Sequence, residues 1–453
     1  MKSNNNMITG NPAKSLILFA LPMMLGMLLQ QLYNIVDSII VGQALGQEAL
    51  SAVGSTSVIV NVYIAIAIGL STGCMVVFSQ LRGAGNFTRM KTAFYTAIIF
   101  LALLSVAALA AGLASTEGVL KMMNTMPEIY EDSRTYYMIY VLSFPALFVY
   151  NIANSGYNSL GISKMTLFLL GGSSVLNILL DLWFVMGLGW GVAGAAIATD
   201  ISQYIVAVIA IILLLRHLKK NYVTESKPAV FELKILGNML KVAIPTMLAQ
   251  VVVSVGYLAL QSLVNSFNSI DITSGYVAGF KIDSLCAIPM IQMGNAMATY
   301  TGQNVGAKQF DRIPQGVKAS SLVCVAVWIV YAVIIRIFGH GIIGLFMEAG
   351  ANEAAYTAGV EYMQIMSSFY VMLGLMYVFS ATLRGAGDAL FSVIAVTCNF
   401  AARCAFAYIM VAITGMEQMI WWSNPIGWFI ALIMCIIRYR SGVWKTKRLA
   451  DKV

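Results

Sequence analysis

Four polar residues, Gln30, Tyr33, Asn34 and Asp37, recur at spacings of three and four along one otherwise apolar stretch. That spacing places them on a single stripe of a helix. A second apolar stretch carries Asn177 and Asp181 one turn apart, and a third carries Thr199, Asp200 and Gln203. Aspartates gathered in one cavity have two uses. Burial and a neighbouring carboxylate both disfavour ionisation, so such a pair takes up a proton as a coupled unit. Ionised, the same carboxylates join Asn and Thr oxygens as ligands for a hard cation such as sodium. The plainer alternative is that each aspartate caps a neighbouring helix or bonds across a helix pair. Gln30, Tyr33, Asn34, Asp200 and Gln203, with Asn154 between the stretches, are the candidate cavity or substrate contacts.

The elements that must hold these residues follow from composition. Of 453 residues, 59% are hydrophobic and 10% charged, with mean hydropathy +0.81, whereas soluble domains carry about 25% charged residues. A helix crossing hydrocarbon needs roughly 20 mainly apolar residues. Twelve such segments are expected, near 15–41, 51–79, 92–114, 134–159, 165–186 and 191–215, then 238–265, 273–301, 317–338, 356–383, 390–413 and 420–437. A charge at mid-bilayer costs about 2.5 to 3.5 kcal/mol on insertion scales, so the aspartates face the bundle interior or a watery cavity.

Orientation follows from the loops. Lys2, Lys14, Arg82, Arg89, Lys91, Lys164, the linker from Arg216 to Lys234, Lys308, Arg312, Lys318, Arg384 and the basic tail all fall on one side of a twelve-span chain. The opposite loops hold Glu48, Glu117, Glu128, Asp271, Glu353 and Glu417, with Lys121, Arg134 and Arg336 as the main exceptions. Both termini are therefore expected in the cytoplasm, in a multi-pass protein of a bacterial plasma (inner) membrane. The net charge of +8 is spread over short loops without aromatic platforms, so nucleic acid is not an expected partner, whereas anionic lipid is.

An internal repeat divides the chain. FALPMML around Pro22 matches VAIPTML around Pro245, and QLRGAGNFTR from Gln80 matches QNVGAKQFDR from Gln303; both offsets are 223 (245 − 22 and 303 − 80). Further on, Asn177 pairs with Asn399 at 222. Six spans per half keep both halves in the same orientation, giving two parallel repeats. The expected organisation is an all-α integral membrane protein: an N-terminal six-helix lobe over 1–216, a basic linker over 217–237 and a C-terminal six-helix lobe over 238–453.

The halves differ in charge. Asp37 corresponds to Leu260 and Asp181 to Arg403, so the acidic pair has no counterpart and ion coupling is expected in the first lobe. Lys281, Asp283, Glu361 and Arg403 read either as ion-paired scaffolding or as gating and substrate contacts. Pro22 and Pro245 interrupt backbone hydrogen bonding and suit a hinge or a static kink. The six cysteines form no CxxC or Cys/His cluster, and with no HExxH, no GxSxG and only His217 and His340, an intramembrane enzyme is not supported.

Together these features resemble the multidrug and toxic compound extrusion (MATE) family. The resemblance rests on two parallel repeats of six spans, Pro22 with Asp37, the QLRGAGN loop, NILLD at 177–181 and GVAGAAIAT at 191–199. It implies a V-shaped two-lobe transporter that exports organic cations and drugs by proton- or sodium-coupled antiport with alternating access. It needs no cofactor beyond the coupling ion, and a monomer is the expected unit. Family members with a first-lobe cation site use residues matching Asp37, Asn177, Asp181 and Thr199, which makes these four the candidate site for proton or sodium. Others place acids in the seventh and tenth spans; here the seventh has Gln250 and Gln261 and the tenth only Glu361. The alternative is a lipid-linked oligosaccharide flippase of the wider superfamily, which tends to have a more basic cleft.

Overall fold

The computed structural model describes residues 7–123, 125–346 and 352–451, so Lys2 lies outside the described residues. Among them there is no strand. The first half forms α1 (Pro12–Leu45), α2 (Gln47–Gly83), α3 (Phe87–Met122), α4 (Tyr130–Val141), α5 (Phe144–Ser159), α6 (Ser163–Asp181) and α7 (Gly191–Asn221). The second forms α8 (Leu233–Asn265), α9 (Ile270–Gly306), α10 (Arg312–Gly344), α11 (Glu353–Ala386), α12 (Ala389–Thr414) and α13 (Gln418–Arg440).

Ten of these helices are long and apolar enough to cross a membrane, and α4 and α5 form one more crossing bent by 47°. Pro145, at the start of α5, has no N–H to continue the ladder of α4, which accounts for the break. The remaining long helix is α9, 37 residues, with Asp271, Lys281 and Asp283 along it. The chain is thus a multi-pass membrane protein of twelve helical crossings in two six-helix halves.

Two compact units emerge, divided within helices and not in the linker. The first comprises Leu21–Met247, and the second joins Leu248–Asp451 to the chain before Leu21. The division falls just before Pro22 in α1 and just after Pro245 in α8. Each unit grips the segment leading into the first helix of the other half. In the first, Ala229 N and Glu232 N donate to Thr92 Oγ1 and Thr96 Oγ1, each at 3.1 Å, and Arg89 Nη1 lies 3.7 Å from Glu232 Oε1. In the second, Asn304 Nδ2 donates to Met7 O at 3.1 Å and Arg312 Nη2 donates to Gly10 O. Arg89 and Arg312 close the two matched loops and lie 223 apart (312 − 89), so the duplication kept the grip along with the sequence.

The same loops share their turn. Gly85 has φ +73° and Lys308, its repeat partner, φ +59°. Left-handed backbone costs a side-chain-bearing residue about 1 to 2 kcal/mol, and the Lys308 side chain is exposed. Lys308→Gly is expected to stabilise the protein by about 1 kcal/mol, read as a higher melting temperature in detergent. An unchanged or lower value would show the turn to be unstrained.

Small residues set the closest helix approach in the first unit. Gly69 and Gly73 of α2, four apart, face α8: a Cβ on Gly69 would sit 2.3 Å from Met247 Cα, and one on Gly73 2.2 Å from Ala243 Cα. This is the small-xxx-small contact of membrane helices, in which the absence of a side chain lets backbones pack.

Candidate functional site

Within the first unit, α1 carries Asp37, α6 ends on Asp181 with Asn177 one turn before, and α7 brings Thr199, Asp200 and Gln203. Immediately after Asp181 the chain continues into a π-helical turn, Leu182–Gly187, a local widening that recurs at functional sites. Asp181 is fully buried, Asn177, Thr199 and Asp200 are buried, and Asp37 is half-buried.

The carboxyl groups of Asp37 and Asp181 lie within electrostatic reach of each other. Asn177 Nδ2 donates to Thr199 Oγ1 at 3.3 Å, which turns the amide oxygen away from that bond. Asp37 Oδ1, both Asp181 oxygens, Asn177 Oδ1, Asp200 Oδ1 and Gln203 Oε1 are buried without a protein donor, and no Lys or Arg among the described residues pairs with these aspartates. The set is all hard oxygen. It suits a proton or an alkali cation, not a soft transition metal, and the described residues contain no His/Cys/acid cluster of three.

The structure places the remaining candidates as follows. Tyr33 lies within electrostatic reach of Asp37, Asp181 and Tyr140, and Gln30 is half-buried on the same helix. Asn34 is exposed and donates to Gln31 Oε1 at 3.2 Å. Gln203 Nε2 donates to Tyr140 OH at 3.5 Å, while Asp200 contacts Ser143. Asn154 Oδ1 accepts from Thr166 Oγ1 at 2.7 Å and from Asn158 Nδ2 at 3.4 Å, tying α5 to α6.

Sequence reasoning missed the tyrosines of α4. Tyr136 and Tyr140 stack with centroids 5.9 Å apart, and both lie within electrostatic reach of Asp37. Their i, i+4 spacing in TYYMIY was a readable signal, masked by the polar start of α4. Because Thr199 Oγ1 is what orients the Asn177 amide, Thr199→Val is expected to weaken coupling-ion affinity about fivefold, the worth of one hydrogen bond of about 1 kcal/mol. Ion titration of the purified protein checks this, and unchanged affinity would separate Thr199 from the site.

In the second unit the residues read either as ion-paired scaffolding or as gating and substrate contacts are not joined by direct ion pairs. None of Lys281, Asp283, Glu361 and Arg403 joins an ion pair among the described residues. Asp283 accepts instead from Tyr370 OH at 2.5 Å and Tyr362 OH at 3.3 Å, Glu361 accepts from Gln418 Nε2 at 3.1 Å, and Lys281 is exposed. Tyrosine hydroxyls meet this buried carboxylate by hydrogen bonding in place of a direct ion pair.

Comparison with known proteins agrees with this architecture. The family model MatE matches residues 22–183 and again 245–409, two copies whose starts lie 223 apart (245 − 22). The chain is 28% identical over 443 residues to "Probable multidrug resistance protein YpnP" of Bacillus subtilis, covering 97% of each. It is 23% identical to "Multidrug export protein MepA" of Staphylococcus saprophyticus, covering 90% of this chain and 89% of that one. Its fold superposes with a TM-score of 0.91, at 23% identity and 98% and 99% coverage, on a multidrug resistance MATE family transporter of the MOP superfamily solved in an outward-facing conformation. The paired halves, the helical crossings and the repeated family match lead to one assignment: this chain belongs to the MatE family of multidrug efflux transporters and is not an enzyme.

Proposed function

We propose that the protein exports organic cations and drugs across a bacterial plasma membrane, with both termini in the cytoplasm, by antiport against protons or sodium. The supporting observation is the first-unit cluster of Asp37, Asn177, Asp181 and Thr199, in which Asp37 Oδ1, Asn177 Oδ1 and both Asp181 oxygens are buried with no protein donor. A proton or sodium ion bound there neutralises the paired carboxylates, and its departure restores their repulsion. The two states therefore favour different positions of α1 relative to α6. Pro22 is the point at which α1 flexes in response. Substrate is thereby exposed alternately to the two sides of the membrane. Linkage requires that substrate weaken cation binding by the same factor as cation weakens substrate binding.

The test is export of a fluorescent organic cation from reconstituted vesicles under an imposed proton or sodium gradient, together with cation titration in the presence and absence of drug. Gradient-driven export with mutual weakening supports antiport. Independent binding of drug and cation, or no export across a broad cation panel, overturns it. A flippase for lipid-linked oligosaccharide would want basic residues to meet phosphate, and Asp37, Asp181 and Asp200 of the first unit have no basic ion-pair partner among the described residues.

A further inference from the structure

The repeat sets the two coupling positions side by side. At an offset of 222, Asn177 and Asp181 of α6 correspond to Asn399 and Arg403 of α12 (399 − 177 and 403 − 181). The asparagine is kept and the carboxylate is replaced by a guanidinium. We propose that Arg403 is a built-in cation: it supplies, covalently attached, the positive charge that the first unit must take from outside, so the second unit binds no coupling ion at this position. The inference deepens the antiport reading and rests on it for what the first-unit position does.

Four observations carry it. Arg403 is 2% exposed and Asn399 3%, so both lie as deep as their first-unit partners. The guanidinium is enclosed: Nη2 donates to Asn424 Oδ1 of α13, and its carbon stands 4.5 Å from the Phe400 ring centroid and 5.3 Å from that of Tyr257. Aromatic faces and an amide oxygen are the surroundings that hold a desolvated cation. The enclosure is close, because a Cβ on Gly427 of α13 would lie 2.3 Å from Asn399 Oδ1 and 2.4 Å from Arg403 Cγ. Finally, the balancing charge is present without being a direct ion-pair partner. Asp283, held by Tyr362 and Tyr370, lies in the field of Arg403, and Tyr362 packs edge-on against Trp421 and Tyr276 in the same aromatic cluster.

Arginine does not release its proton in a protein. Arg403 therefore holds one fixed positive charge beside the Asp283 carboxyl through the whole cycle. Removing the guanidinium charge leaves Asp283 uncompensated, and this unit then takes a proton or sodium ion from solution. An arginine that served packing alone would have no such effect on ion uptake.

The experiment counts cations bound per purified full-length transporter, by indicator-dye proton uptake and by radioactive sodium binding, in the parent, Arg403→Gln and Arg403→Lys. The expected result is one more cation in Arg403→Gln and the parental count in Arg403→Lys. A parental count in folded, monodisperse Arg403→Gln overturns the proposal, as does an extra cation in Arg403→Lys. Should Arg403→Gln fail to fold, Arg403→Ala is purified with methylguanidinium or with the uncharged isostere N-methylurea. Recovery of folded protein by methylguanidinium alone supports the proposal; recovery by neither, or by both alike, overturns it. Asp181→Asn in the same assay reports on the first unit separately: a parental count there sinks the antiport site and leaves the Arg403 count to be read on its own.

Discussion

Asp37→Asn and Asp181→Asn each lower gradient-driven export of a fluorescent organic cation by roughly thirtyfold or more, while the protein reaches the membrane at the parental level. Asparagine keeps the shape of aspartate while removing the charge and one acceptor oxygen. What it loses is a charge-assisted ligand worth about 2 kcal/mol, which corresponds to roughly thirtyfold in ion affinity. Folding survives because neither carboxylate holds the bundle together: Asp181 accepts from no protein donor and Asp37 enters no ion pair among the described residues. Fluorescence of a tagged protein gives the membrane level, and transport in vesicles gives the rate. Full export by both variants would place coupling elsewhere in the molecule.

The second large effect is structural. Gly73→Val is expected to lose about 3 kcal/mol and most of the folded, monodisperse yield. The contact at 2.2 Å is with the Cα of Ala243, a backbone atom, so no side-chain rotation relieves it. Only separation of α2 from α8 would do so, and that uncovers the Gly69 contact as well. Gly118→Ala on α3, where an added Cβ meets nothing within 4 Å, is the control and leaves the melting temperature unchanged or slightly raised. Equal melting temperatures for Gly73→Val and its parent would mean that α2 and α8 are not in close contact.

Much of this architecture was legible before any coordinates. Pro22 and Pro245, with the two Gln-to-Arg loops, gave the repeat and hence the six-plus-six order, because duplication leaves a constant offset that apolar composition does not erase. The stripe from Gln30 to Asp37 and the Asn177/Asp181 pair were readable because a polar group inside a long apolar helix is costly and so rarely accidental. Of that stripe, Asp37 and Tyr33 reach the cluster, whereas Asn34 turns outward. Periodicity alone cannot rank residues 100° apart on one face.

Other features depend on contacts that no local pattern encodes. The α4 tyrosines join Asp37 only through packing between helices distant in sequence. The 47° bend between α4 and α5 lies inside what periodicity presented as a single span over 134–159. The two tyrosines that hold Asp283 come from α11, 79 and 87 residues away, so no charge pairing could have been read in advance. The boundary of the compact units escaped for a related reason. A polar linker marks where a chain leaves the membrane, not where its packing changes partner, and here the change occurs inside α1 and α8.

That exchange of helix ends bears on how the molecule came to exist as one chain. Neither half of the sequence encodes a complete unit, since the leading segment of each is gripped by residues of the other: Met7 and Gly10 by Asn304 and Arg312, Ala229 and Glu232 by Thr92, Thr96 and Arg89. A gene encoding a single half would specify a subunit that completes itself only by trading its leading arm with a second copy, which is a domain-swapped dimer. Joining two such genes end to end turns a meeting between molecules into one within a molecule, at the far higher effective concentration that a tether provides. It also frees the copies to diverge. A homodimer must repeat every substitution, whereas the fused chain keeps an aspartate at 181 and an arginine at 403.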